Sequence, residues 1–170
     1  GRRDLIVVNI GNPRSARPQL PIDNAERGLA GHLQRGGALL GMHVSATSMT
    51  TMSGWSSMLG GHWVRGRTMH PKQDLATILV RSGAHPIVEG LADFTVFDER
   101  YSYLHTNPDI TVLCEHFTDQ QMHPIVWARQ SGTGRVVYDG LGHDTRSYDS
   151  ADHVELLRRS VGWLLESNAS

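Results

Sequence analysis

Three short polar turns each follow an apolar run: Gly41-Met42-His43-Val44-Ser45 after Ala38-Leu39-Leu40, Asp98-Glu99-Arg100-Tyr101 after Phe94-Thr95-Val96-Phe97, and Gly142-His143-Asp144 after Val136-Val137-Tyr138. The outer two supply imidazoles and the middle one a carboxylate. These side chains ligate divalent metals or move protons near neutral pH. An open α/β sheet binds ligands beyond the carboxyl ends of its strands. His43, Glu99 and His143 are therefore the candidate catalytic set and the candidate ligands for zinc, manganese or iron, with Asp98 placed to orient a neighbour. Plainer readings stand beside this one: a buried, hydrogen-bonded histidine at 43, a solvated turn at 98–101 and a loop histidine at 143.

The same loops carry Trp55, Trp63, Tyr101 and Tyr103, whose ring faces suit the C–H surface of a sugar, with His70 and Asp144 as polar partners for its hydroxyls. These are the candidate substrate-binding residues, and a small-molecule sugar is the expected partner. Such rings serve equally well to cap a core or to line a contact between copies, so a homo-oligomer is an open alternative. His62 and His70 lie in one long connection, and either can complete a site. His85-Pro86 and His123-Pro124 mark strand boundaries, and His32, His105, His116 and His153 read as surface or packing positions.

Several signatures are missing. The sequence has no G-x-G-x-x-G opening a helix, no Walker loop and no H-E-x-x-H, so no nucleotide cofactor is expected. Cys114 falls within the apolar run Thr111-Val112-Leu113-Cys114 and not on a sharp turn, which argues against a cysteine nucleophile. Ser45 and Ser48 have no evident base.

The 170 residues suit one domain spanning 1–170. Sixteen basic and 17 acidic residues are spread along the chain, leaving no basic footprint for nucleic acid or for an anionic membrane. No stretch approaches the roughly 20 apolar residues of a membrane span, and Gly1-Arg2-Arg3-Asp4 does not open a signal peptide. One cysteine fits a reducing compartment, so the expected location is the cytoplasm.

To place those turns, the chain must form strands that end at them. Asp4 to Ile10 reads as a buried parallel strand, followed by a proline-bearing loop from Asn12 to Pro21. A helix follows from a capping box at Asp23-Asn24-Ala25-Glu26, with Ile22, Ala25, Leu29 and Leu33 on one face and Gly36-Gly37 as its stop. Ala38 to Met42 completes a right-handed βαβ unit, and Trp55 to Gly61 can form a short helix. Further strands are expected at Leu75–Val80, Phe94–Phe97, Ile110–Cys114, Pro124–Arg129 and Arg135–Leu141. Ser131-Gly132-Thr133-Gly134 joins the last two as a hairpin. A closing helix from Ala151 to Glu166 presents Val154, Leu157, Val161 and Leu164 to the sheet.

In order and spacing, Gly36-Gly37-Ala38-Leu39-Leu40-Gly41-Met42-His43, Leu59-Gly60-Gly61 with His70-Pro71, His85-Pro86-Ile87-Val88-Glu89-Gly90-Leu91, Asp98-Glu99-Arg100-Tyr101, and Gly134-Arg135-Val136-Val137-Tyr138 with Leu141-Gly142-His143-Asp144 resemble the ThuA-like (trehalose utilisation) family. The resemblance implies an α/β, flavodoxin-like fold of the class I glutamine-amidotransferase type. This is a mostly parallel sheet with helices on both faces, here with a β-hairpin at one side. It also implies a part in catabolism of trehalose and related glycosides, an amidotransferase cysteine replaced by His43 at the elbow, and an N-terminal βα unit missing upstream of Leu5. The leading expectation is an enzyme acting on a keto-glycoside or related sugar, by isomerisation, elimination or hydrolysis, with a divalent metal or a His/Glu acid-base set. The alternatives are a non-catalytic carbohydrate-binding or regulatory module and a cysteine-independent hydrolase related to amidotransferases.

Overall fold

The structure, a computed structural model, describes residues 4–11 and 22–166. The proline-bearing loop from Asn12 to Pro21 lies outside the described residues. Strand β1 (Leu5–Val8) leads to helix α1 (Ile22–Gln34) and strand β2 (Ala38–Met42). A 3-10 turn (His43–Thr47), helix α2 (Trp55–Leu59) and strand β3 (Gly61–His62) follow, then β4 (Asp74–Val80), β5 (Phe94–Asp98) and β6 (His105–Thr106). The chain ends with β7 (Thr111–Thr118), β8 (Gln121–Ser131), β9 (Gly134–Asp139) and helix α3 (Ala151–Leu165). Seven strands form one sheet in the order β1-β2-β9-β8-β7-β4-β5, and β3 pairs with β6 in a separate small ladder.

The fold is α/β, but the sheet is mixed and not mostly parallel. Only β1–β2 and β2–β9 run parallel, while β9–β8, β8–β7, β7–β4 and β4–β5 are antiparallel. The reason lies in the connections, since a parallel return needs a crossover of a dozen or more residues. β7 turns into β8 through Asp119 and Gln120 alone, both at positive φ (50° and 61°). β8 turns into β9 through Gly132 and Thr133, in the expected hairpin.

The sheet's two faces are covered by different helices. Along β2, Leu39 faces α1 and α2 with Leu33, Trp55 and Leu59, while Ala38 and Leu40 face α3 with Leu156 and Leu164. An apolar run buried on both sides results, as the sequence suggested. At the sheet edge β1 is less covered, with Val7 53% exposed.

α1 ends in a Schellman arrangement, in which Gly36 N–H donates to Leu33 O and Gly37 N–H to His32 O. Asp23 sits within the first turn, and Glu26 Oε1 accepts the Gly54 N–H at 2.7 Å, so this carboxylate ties α1 to the start of α2 and does not close a box on its own helix. α3 buries His153, Leu156, Ser160 and Leu164, whereas Val154 is exposed. Its inward face is thus rotated from the apolar stripe. Polar groups can turn inward because they are paired: His153 with Asp139 and Ser147, and Ser160 with Leu156 O. No helix among the described residues is long and apolar enough to cross a membrane.

Candidate functional site

β2, β9 and β5 all point their carboxyl ends toward one rim, as the alternating directions across the sheet require. Four strand spacings separate β9 from β5, about 19 Å on a flat sheet. The sheet instead curls until the two ends touch. Two features allow this: β4 meets β7 only at Leu79↔Glu115 and Val80↔Cys114, and β7 carries irregular register between Val112 and Glu115. Bulged strands bend and twist more strongly.

Asp98 fastens the closure. Fully buried at the end of β5, its carboxylate accepts Gly142 N–H at 2.6 Å, His143 N–H at 3.1 Å and Glu99 N–H at 2.8 Å. It thereby sets Glu99 and His143 side by side. Gly142 lies at φ 100°, and a Cβ there would meet the Tyr148 hydroxyl at 2.6 Å, so the turn that aims His143 requires glycine.

His43 begins the turn after β2 at φ 37°, an uncommon conformation for a non-glycine residue, and its surroundings specify it. Tyr138 donates its hydroxyl to His43 O at 2.9 Å, and the ring Nδ1 lies 2.9 Å from Gly140 O. A carbonyl only accepts, so Nδ1 carries the proton and Nε2 of the neutral ring carries a lone pair. That lone pair faces Glu99 Oε1 at 3.1 Å, Tyr101 OH at 3.1 Å and His143 Nδ1 at 3.4 Å. Glu99 Oε1 is also 3.1 Å from His143 Nδ1. His43 and Glu99 are buried, while His143 is exposed and closes the open side.

Around this triad, His70 Nδ1 lies 3.3 Å from the second carboxylate oxygen of Glu99. Burial, reinforced by the Glu99 and Asp98 carboxylates, pushes the Tyr101 phenol far above its usual range, so it remains a hydrogen-bond donor. Trp63 meets Tyr101 edge-on at 5.0 Å and His70 at 6.1 Å. Asp144 lies beside His143, yet its oxygens take Arg146 and the Gln73 amide at 3.0 Å, which hold its carboxyl well below the usual range.

Trp55 is not brought to this rim: its indole is 2% exposed and donates to Ser45 O from within the core. Tyr103 points away toward Asp119 and His123. His62 pairs with His105 across the small ladder and not with the triad. Cys114 is buried in β7, where desolvation pushes its thiol far above the ordinary range.

Two features escaped the sequence. Tyr101 acts through its hydroxyl on His43 and not only through its ring face, and His153 is a buried partner of Asp139. The positions after strand ends carried a signal for the first; nothing in the helical pattern marked the second.

No curated protein matches the sequence. Among solved structures, a ThuA-like protein from Parabacteroides merdae superposes with a TM-score of 0.79 at 18% identity, covering 97% of this chain and 72% of its own. A ThuA-like protein from Bacteroides uniformis gives 0.72 at 18% identity, over 95% and 69%. A Salmonella typhimurium protein described as cytoplasmic gives 0.67 at 11% identity, over 96% and 72%. At these identities the likeness establishes a shared fold. The family described as ThuA, trehalose utilisation, matches residues 3–164. With nearly the whole length matched, the chain belongs to the ThuA trehalose utilisation family.

Proposed function

We propose that the protein is an enzyme of sugar catabolism that uses His43, Glu99 and His143 to hold a divalent metal ion, with zinc, manganese and iron as the candidate metals. One observation carries this: the ligand atoms of the three residues are 3.1, 3.1 and 3.4 Å apart. Ligands about 2.05 Å from a tetrahedral ion are about 3.3 Å from one another. His43 Nε2 and the Glu99 carboxylate both offer lone pairs to the same small space, which His143 closes on its open side.

Such an ion, when bound, polarises a carbonyl or hydroxyl oxygen of the sugar. The chain's own groups supply the rest. Tyr101 donates a hydrogen bond beside the triad, and His70, on the second oxygen of Glu99, stands at the exposed face where a substrate proton can be moved. Trp63 and Tyr101 offer ring surface to the sugar's C–H face. Family membership supports a sugar substrate, and a glycoside or keto-glycoside is the form proposed. His43, Glu99 and His143 serve equally as an acid-base set if no metal is held.

Elemental analysis of protein purified without an affinity tag tests the metal. Zinc affinity should fall at least about 100-fold in His43→Ala and in His143→Ala; unchanged affinity in both removes the metal from the proposal. Glucose-type disaccharides and their keto derivatives are then screened by calorimetry and product analysis. Conversion supports the enzyme, binding without conversion supports a binding module, and no binding by folded protein refutes the carbohydrate reading.

A further inference from the structure

Glu99 and Tyr101 leave β5 on an irregular segment that ends at Tyr103. One side of it is held by the bridge between Met69 and Ser102. Two buried histidines on the β7–β8 hairpin hold the other. His116 Nε2 lies 3.1 Å from Tyr101 O, and its Nδ1 lies 3.2 Å from Thr118 Oγ1. Because the carbonyl can only accept, Nε2 carries the proton and Nδ1 accepts from the threonine hydroxyl.

His123 is the cross-strand partner of His116, with ring centroids 5.4 Å apart. It accepts Tyr103 N–H at Nδ1 (3.3 Å), donates from Nε2 to Thr118 O (3.2 Å), and meets the Tyr103 ring edge-on at 4.4 Å. Both rings are thus used in a single neutral tautomer. Burial pushes His116 down to about 4, which keeps it in that form near neutral pH. Tyr103 stands at φ 60°, a left-handed conformation that a tyrosine keeps only where neighbours hold it.

We propose that His116 and His123 are positioning residues for the candidate site, gripping the backbone on either side of Ser102 so that the Tyr101 phenol stays on His43 Nε2. The proposal rests on the reading that Tyr101 serves the His43–Glu99–His143 centre. A pair that only filled space would affect stability and leave the His43 ring undisturbed.

The test follows the ring-nitrogen NMR signals of His43 in the metal-free full chain. Tyr101→Phe removes the phenol and shifts the Nε2 signal, and His116→Leu should reproduce most of that shift. His116→Gln, whose side-chain amide can donate to the same carbonyl, should restore the signal toward wild type. In the Tyr101→Phe background, His116→Leu should add nothing. A folded His116→Leu protein with wild-type His43 signals overturns the proposal, as does an equal effect in the absence of the phenol. If the leucine variant does not fold, Thr118→Val, which removes the hydroxyl that fixes the His116 tautomer, must move the same signal in the same direction; an unmoved signal also overturns it. Zinc titration of the wild type separately decides the metal reading, on which these signals do not depend.

Discussion

Among the described residues, two buried histidine–carboxylate pairs have different surroundings. His153 Nε2 meets Asp139 Oδ2 at 3.0 Å, its Nδ1 faces Ser147, and the other Asp139 oxygen accepts Leu141 N–H at 3.0 Å. Every strong donor has its acceptor and the pair is sealed. His43 and Glu99 meet at a similar 3.1 Å, but the pair is not sealed: exposed His70 and His143 border the opening and reach the same carboxylate. A sealed pair stabilises the fold, whereas an open one with lone pairs to share can take up a cation or a proton. Burial and distance alone do not distinguish the two pairs; access does, since only the Glu99 carboxylate is reached by exposed histidines.

The largest effect that would break this comparison is at the sealed pair. Asp139→Ala leaves buried His153 without its partner and should cost about 3–5 kcal/mol in denaturant unfolding. Burial by itself lowers His153, but the Asp139 carboxylate and its hydrogen bond outweigh that and raise it to about 9. A group raised above its unfolded value of about 6.5 stabilises the fold fully below that pH. Its contribution should fade as pH climbs through about 9, and the fade should vanish in Asp139→Ala. A variant with the same alkaline slope as wild type would show that another group is responsible.

At the open pair the expected stability change is smaller. Glu99→Gln introduces an amide that can donate to His43 Nε2, so the unfolding free energy should stay within about 1 kcal/mol of wild type. Metal affinity should drop sharply in the same variant. A loss as large as that of Asp139→Ala would mean that the triad is a structural pair after all. The smallest effect is expected at Cys114→Ser, remote from the rim and buried in β7. Metal affinity and any turnover should remain at the wild-type level, even if the thermal midpoint falls, and their loss at an unchanged midpoint would restore a cysteine mechanism.

The strand ends at His43, Glu99 and His143 were legible in the sequence because each apolar run stops at a polar turn, and α1, β2, the β8–β9 hairpin and α3 followed from periodicity and from Gly36 and Gly132. The β7–β8 hairpin was harder to read. Its turn, Asp119-Gln120, contains no glycine although both residues adopt positive φ, so β7 and β8 each appeared several residues too short. Polar residues on the inward face of α3 likewise mimicked a solvent-facing side, since pairing with Asp139 and Ser147 leaves no trace in a helical pattern.

What the sequence determined by itself is the chemical repertoire: two imidazoles and a carboxylate at strand ends, a lone mid-strand cysteine, and the glycine-bearing hairpin turn at 131–134. Whether those groups would meet was decided by the tertiary structure. Glu99 and His143 belong to strands four places apart, and they converge only because the sheet curls and Asp98 accepts the backbone N–H groups of both turns. Curl is a sum of small twists, sparse pairing and a bulge spread over many residues. No local stretch of sequence encodes such a sum, so candidate groups could be named from the chain, while which of them would meet, and that Trp55 and Tyr103 would not, could not be read from it.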